Sequence, residues 1–227
     1  MSDLKNRAAR PTQSDVRHIW EERYQVPREP SSYEDDWLER WSDTLASVQG
    51  GQVLDAGCGP GGDTLRLMNH GLRVVGLDFS LGALKIARGH TRCPVVQSDV
   101  CDSIPFRSAT FHLIVASLVL HYFNHDTTKS ILRALRDCLV PGGRILMRLN
   151  STDDVQFGAE GNPLVEPDVH LVGGVPKRFY NRERVEQVLG EGWCVLEASE
   201  RSSDRYYRTK RLWEICAERA DAHPSLR

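Results

Sequence analysis

Residues 53–64 read VLDAGCGPGGDT, and the order of their residue types decides the fold class. An apolar pair, Val53 and Leu54, runs into an acid, Asp55. A glycine-dense turn comes next at Gly57, Gly59, Pro60, Gly61 and Gly62, and TLRLMNH (64–70) continues in helix-compatible residues. A strand that stops at a glycine turn and opens a helix is how α/β proteins hold a nucleotide-like ligand. The glycines let the backbone come close, and the helix N-terminus presents free N–H groups. Gly57, Gly59 and Gly62 satisfy the spacing G-x-G-x-x-G, which is a weak signal by itself.

The charge beside the turn narrows the ligand. Asp55 stands at its mouth, where a carboxylate repels a pyrophosphate and attracts a cation. S-adenosylmethionine (SAM) meets that condition: it joins a nucleoside to a sulfonium, an ammonium and a carboxylate, and carries no phosphate. The next landmarks agree. LRVVGLDFS (72–80) is an apolar strand ending in Asp78 with Phe79 beside it, about 20 residues past the glycines, where a ribose hydroxyl partner belongs. CPVVQSDV (93–100) is a further strand-like run ending in Asp99. Three successive strands thus end at or near an acid at one edge of a parallel sheet.

Together, residues 53–64, 72–80, 93–106, 111–123 and 139–150 resemble the class I SAM-dependent methyltransferases, from the glycine-rich motif to the late PGG turn. The resemblance covers roughly 50–150. It implies a Rossmann-like, mostly parallel seven-stranded sheet with helices on both faces, strand order 3-2-1-4-5-7-6 and an antiparallel final strand. It also implies an N-terminal helical lid over 1–49 and a methyltransferase domain over 50–227.

Composition bounds the rest. The chain has 227 residues, 40% hydrophobic and 26% charged, with a net charge of −2, ordinary for one α/β domain with additions. Near-neutral charge gives no general pull toward nucleic acid or membrane. No apolar run approaches the roughly 18 residues of a membrane span. MSDLKNRAARPTQSD lacks an apolar signal core, so a cytoplasmic protein with a frayed N-terminal tail is expected. Cys58, Cys93, Cys101, Cys138, Cys194 and Cys216 form no CxxC pair and do not cluster with histidines at ligand spacings, so reduced, mostly buried thiols and no metal site are expected.

Along the chain, SDVRHIWEERYQ (14–25) predicts a helix with Ser14 as N-cap, and SYEDDWLERWSDTLASV predicts another, capped by Ser32. Trp37, Trp41, Leu45 and Val48 recur at helical spacing, which suits packing on the sheet. After the glycine turn, strands and helices alternate. FHLIVASLVL (111–120) is continuously apolar, as a central strand buried on both faces should be. HDTTKSILRALRDCLV predicts an amphipathic helix stopped by PGG (141–143), before the strand RILMRLN. Residues 151–180 break the rhythm with three prolines and no helical period, and read as a substrate-side insertion. NRERVEQVLGE predicts a helix and CVLEASE a strand. RLWEICAER fits either, and the resemblance favours a final hairpin strand.

The resemblance also assigns site residues. Asp55, Gly57 and Gly59 would face the amino-acid end of SAM, Asp78 the ribose, Phe79, Asp99 and Val100 the adenine, and Ser117 the methionine part. Tyr24 would contact the cofactor from the lid and Trp20 the substrate. Methyl transfer is an in-line displacement on an already activated carbon, so the protein must align nucleophile, carbon and sulfur, and where needed take a proton. His121, in the turn SLVLHYF, is the candidate base; a buried structural histidine is the alternative. Tyr122, Arg148, Asn150, His170 and Tyr180 are candidate substrate contacts, with an internal ion pair as the alternative for Arg148. Lys177 and Arg178 are further candidate contacts of the insertion, with a solvated basic face as the alternative.

ASLVLHY lacks the Asn/Asp-Pro-Pro-aromatic motif of amino-group methylation. No carboxylate pair follows the arginine-methylating pattern, and no acidic cluster resembles the magnesium-dependent catechol enzymes. The chain is somewhat similar to tellurite-resistance and thiol methyltransferases. The expectation is a small-molecule methyltransferase acting at O or S. A non-catalytic SAM-binding protein and an NAD-dependent oxidoreductase are the rivals.

Overall fold

The computed structural model describes residues 8–25, 36–204 and 208–220. Helix α1 (Gln13–Gln25) is the first element among the described residues and buries no residue fully. Its cap is Thr12, not Ser14. The Thr12 hydroxyl accepts from the Asp15 N–H (3.2 Å) while the Asp15 carboxylate accepts from the Thr12 N–H (2.8 Å), a reciprocal capping pair. The expected cap Ser32 lies outside the described residues. In place of the single long helix expected next, the chain forms a 3-10 turn over Trp37–Trp41 and the short helix α2 (Ser42–Ser47). The adjacent side chains Trp37 and Leu38 are both fully buried, which a single helical stripe does not provide.

Strands β1 (Gln52–Ala56), β2 (Arg73–Asp78), β3 (Val95–Gln97), β4 (Phe111–Ser117) and β5 (Leu139–Asn150) run parallel. Between them lie α3 (Gly62–Asn69), α4 (Leu81–Thr91) and α5 (His125–Cys138). Ser80 caps α4 and Asn124 caps α5, each side chain accepting a backbone N–H three residues on. PGG lies inside β5 rather than before it, and the register of β5 against β4 shifts there.

After β5 the chain leaves the sheet. Strands β6 (Leu164–Glu166), β7 (Val169–Val172) and β8 (Val175–Arg178) form a separate antiparallel meander. Helix α6 (Arg182–Leu189) leads back to β9 (Trp193–Ser203) and β10 (Lys210–Arg219). The seven-stranded order is therefore 3-2-1-4-5-10-9 and not the expected 3-2-1-4-5-7-6, because the insertion contributes three strands of its own. β10 runs antiparallel to both β5 and β9.

Period-two alternation sorts the core. Leu54, Ile114, Ile145, Met147 and Ile215 face one side with α5 and α6; Val53, Leu113, Val115, Leu146 and Cys216 face the other with α2 and α3. The insertion departs and returns at one point. Tyr180 N–H donates to the Asn150 carbonyl (2.8 Å), and Trp213 Nε1 donates to the Tyr180 carbonyl (2.8 Å). Residues 151–180 therefore rise from the carboxyl end of β5, the edge where ligands bind in such sheets.

Candidate functional site

Asp78 closes β2, and its carboxylate organises the glycine turn: one oxygen accepts from Gly59 N–H (2.9 Å), the other from Ser80 N–H (2.9 Å). Gly57 N–H and Cys58 N–H both donate to the Leu77 carbonyl (2.7 and 3.0 Å). Gly57 has φ +72°, and a Cβ there would lie 2.6 Å from Val119 Cγ2, so the position requires glycine.

Two adjoining cavities open over this turn, sharing Tyr24, Gly57, Gly59 and Leu118. The larger, about 370 Å³, is lined mainly by aromatic and aliphatic groups: Trp20, Tyr24, Phe79, Val100, Val119, Tyr122, Phe123 and Pro176, with Asp78 and Asp99. The smaller, about 200 Å³, is polar and is bounded by Asp55, Asp63, Ser117 and Arg148. Asp55 is buried and accepts from the Thr64 hydroxyl (2.6 Å). Burial, with Asp63 and Asp78 adding repulsion, pushes its pKa up to about 7. Burial likewise raises Asp78. Arg148, 1% exposed, lies over the Trp37 ring at 4.4 Å, donates to the Ser117 hydroxyl (2.9 Å) and stands 3.7 Å from Asp63. The small cavity thus holds both a carboxylate pair and a guanidinium, a donor set that suits a zwitterionic amino acid.

Helix α1 lies across the large cavity. Arg17 Nε donates to Asp99 (2.7 Å) and its terminal nitrogen to Asp102 (2.5 Å). Glu21 accepts from the Ser80 hydroxyl (3.0 Å) and the Leu81 N–H (2.9 Å), at the start of α4. Trp20 stacks on Tyr24 (6.0 Å) and meets Tyr122 edge-on (5.3 Å). The donor atoms of Asp99, Cys101 and Asp102 lie within 4.8 Å of one another, and the cation facing the two carboxylates is Arg17.

Of the expected residues, Trp20, Tyr24, Asp55, Gly57, Gly59, Asp78, Phe79, Asp99, Val100, Ser117, Tyr122 and Arg148 converge on the two cavities. Arg148 lines the small polar cavity, together with glycine-turn residues, and not the large one. Four others line neither cavity. His121 is 2% exposed, its Nδ1 has no partner among the described residues, and burial with nearby Lys177 and Lys210 holds its pKa well below the usual imidazole range. A neutral, enclosed ring does not reach a substrate in the cavity. Tyr180 is fully buried in the main core, its pKa pushed up to about 12 by burial. His170 turns to the Asn162 carbonyl (3.2 Å) and the Phe179 ring. Asn150 is buried with its amide unpaired among the described residues. Cys194 is exposed, unlike the buried thiols expected.

Arg17, Glu21, Asp63 and Pro176 are site residues that sequence reasoning misses. Asp63 carries a signal: it is the acid that ends the glycine motif. Arg17 and Glu21 look like any charged helical face. Among the described residues no helix is long and apolar enough to cross a membrane.

A family model for a methyltransferase domain matches residues 53–143. The chain is 30% identical over 141 residues to a malonyl-[acyl-carrier protein] O-methyltransferase of Enterobacter lignolyticus, covering 61% of this chain and 52% of that protein. It is 36% identical over 109 residues to a demethylmenaquinone methyltransferase of Corynebacterium kroppenstedtii, covering 48% and 46%. The chain spans about half the length of these curated relatives. Among solved structures, the 1,6-didemethyltoxoflavin-N1-methyltransferase of Burkholderia thailandensis shares the fold, with a TM-score of 0.70 at 18% identity, covering 97% of this chain and 98% of that one.

Proposed function

With residues 53–143 forming a methyltransferase domain of the class I SAM-dependent kind, we propose that the protein transfers the methyl group of SAM to an oxygen or sulfur of a small molecule. The observation that carries this reading is the uneven charge around the glycine turn. Asp55, Asp63 and Arg148 line one small cavity, with Arg148 3.7 Å from Asp63, and Asp55 is pushed up to about 7 by burial and neighbouring acids. Such a site favours a ligand bearing an ammonium next to a carboxylate, and disfavours the pyrophosphate of a dinucleotide.

SAM supplies, when bound, a methyl carbon already activated by its sulfonium. The chain's part is binding, alignment and exclusion of water. Asp78 has lone pairs left on both oxygens for ribose hydroxyls. Phe79 and Val100 give the adenine apolar walls, with Asp99 at its edge. Asp55 and Asp63 take the ammonium and Arg148 the carboxylate. Trp20, Tyr24 and α1 cover the cleft, and the insertion roofs it through Pro176. His121 as a base draws no support from its enclosed position. An acceptor that ionises by itself, a thiolate or an acidic oxygen, needs no base.

The test is mass spectrometry of the purified protein for SAM or S-adenosylhomocysteine, then a thiol, phenol and carboxylate panel with labelled SAM. Label transfer to any of these supports the proposal. SAM binding without transfer to any of them would leave a cofactor-binding protein.

A further inference from the structure

Trp37 and Trp41 bound one 3-10 turn and join the same apolar cluster. By spacing alone both are packing residues, but their indoles are placed differently. Trp41 Nε1 is buried without a partner among the described residues. Trp37 is fully buried, and its Nε1 donates to Asp63 Oδ1 (3.1 Å). The ring of the same indole lies under the Arg148 guanidinium at 4.4 Å. Asp63 and Arg148 both line the small polar cavity, whereas Trp37 lines neither cavity. One side chain outside the site therefore touches its carboxylate and its guanidinium at once.

The spacing of that charged pair needs a cause. Opposite charges attract strongly where solvent is scarce, and Arg148 is 1% exposed. An arginine and a carboxylate left to themselves close to about 2.7–2.9 Å, often through two parallel bonds. Here the Arg148 terminal nitrogen stays 3.7 Å from Asp63 Oδ2, beyond hydrogen-bond distance. Each partner is held from another side. Asp63 Oδ1 takes the indole N–H, and Arg66 stands 3.9 Å from that oxygen. Among the described residues the indole is thus the one donor at hydrogen-bond distance from this carboxylate. Arg148 Nε donates to the Ser117 hydroxyl (2.9 Å) while the guanidinium rests over the indole. Glu214, opposite Arg148 on β10, is buried and accepts from Arg40 Nε (2.9 Å), which belongs to the same turn as Trp37. The turn Trp37–Trp41 thus keeps two acids from closing on Arg148.

We propose that Trp37 is a positioning residue for the small cavity. Its N–H and its ring hold Asp63 and Arg148 apart, so that the carboxylate meets the ammonium, and the guanidinium the carboxylate, of one zwitterionic ligand. Without the indole the two charges close on each other and the cavity loses its donor set. That this zwitterion is the amino-acid end of SAM rests on the methyltransferase reading.

The test uses the full chain and two probes, S-adenosylhomocysteine, which carries the amino-acid end, and 5′-methylthioadenosine, which lacks it. Both affinities are measured by calorimetry. Trp37→Phe keeps an aromatic ring under Arg148 and removes the N–H. It should weaken S-adenosylhomocysteine about ten-fold, the scale of one hydrogen bond to a charged group, and 5′-methylthioadenosine no more than about two-fold. Trp41→Phe removes a similar volume from the same core without removing a hydrogen bond. It should lower the melting temperature and leave the ratio of the two affinities unchanged. In an Asp63→Ala background, Trp37→Phe should cost no further affinity, because the two residues act as one unit. Should Trp37→Phe fail to fold, the indole N–H resonances of the natural chain decide. That of Trp37 should shift with S-adenosylhomocysteine and not with 5′-methylthioadenosine, and that of Trp41 with neither. Unchanged affinities, equal weakening of both probes, the same change of ratio in Trp41→Phe, an additive loss in the Asp63→Ala background, or a Trp37 resonance blind to S-adenosylhomocysteine overturns the role and leaves the cofactor reading standing. Equal affinity of the natural chain for both probes removes the amino-acid site and the role with it. A natural chain that binds neither probe sinks the cofactor reading as well.

Discussion

At the residue scale, the site works through carboxylates held where carboxylates are costly. Asp55 shows the consequence most plainly. Its folded pKa lies near 7 against an ordinary 3.8, so between about pH 4 and pH 7 the folded chain keeps a proton that the unfolded chain has released. Stability from this group therefore falls as pH rises through that window, and the full penalty stands above 7. Asp55→Asn stays neutral and its carbonyl still accepts from Thr64. It should melt higher than the natural chain at pH 8, with the gap closing as pH drops toward 4, while SAM affinity falls and loses its rise through pH 7. Melting curves and calorimetry at four pH values check both halves; a lower melting point at pH 8 would refute the electrostatic account. Asp78→Ala removes the acceptor of two turn N–H groups as well as the expected ribose partner. Charge-assisted bonds of this kind are worth about 1.5–3 kcal/mol each, so SAM affinity should fall roughly 10- to 100-fold, and unchanged affinity would displace Asp78 from the ribose. For His121, an enclosed ring with a lowered pKa predicts that His121→Gln lowers the melting temperature and that kcat/KM shows no histidine inflection between pH 6 and 7. An inflection present in the natural chain and absent in the variant would restore the base.

At the element scale, the strand-acid rhythm makes the central sheet legible, because a parallel strand buried on both faces is an apolar run and its carboxyl end must meet polar ligand groups. Gln52–Ala56, Arg73–Asp78 and Phe111–Ser117 obey that rule. The insertion is not legible as strands, since β6, β7 and β8 are three or four residues long and β8 carries a proline, too short for period two to register. Side-chain direction in the turn after β4 is equally hidden: Tyr122 enters the cavity and its neighbour His121 turns inward, and no periodicity separates them. The attachment of α1 is hidden for another reason. Its anchors are charged, and a charged helical face reads as solvated. Because α1 buries nothing fully, Arg17 and Glu21 carry much of its docking. The double variant Arg17→Ala/Glu21→Ala should speed amide hydrogen exchange across Gln13–Gln25 and raise the SAM dissociation rate, both several-fold, with exchange in β1, β4 and β5 unchanged. The natural chain should show the same loosening of α1 at high salt, since the pairs are partly exposed. Uniform acceleration across the sheet would mean that the helix is part of the global fold.

At the scale of the whole molecule, three bodies meet at one edge: the sheet with its glycine turn, the helix α1, and the meander rising from the end of β5. The sheet is held by two apolar cores. The helix touches the meander through Arg23 and the Gly173 carbonyl (3.5 Å), and the segment before the helix touches it through the Ala8 N–H and Leu164 carbonyl (3.1 Å) and the Arg10–Glu166 ion pair. These contacts are mostly polar, with Ile19 against Gly174, so a ligand in the shared cavity contributes much of what couples the three. Saturation at a hundred times Kd adds about 2.7 kcal/mol to the folded state, which for a chain of this size raises the melting temperature by roughly 5–10 °C. S-adenosylhomocysteine should produce that shift in the natural chain and slow proteolytic nicking in both α1 and the meander together. The Arg17→Ala/Glu21→Ala chain, at the same multiple of its own weaker Kd, should melt with a comparable shift yet leave α1 open to nicking, because ligand bound to the sheet alone cannot protect a helix that no longer docks. Protection of α1 in that variant would place the coupling in apolar contacts of Trp20 and Tyr24 rather than in the charged anchors, and the aromatic pair would then be the part of α1 that closes the site.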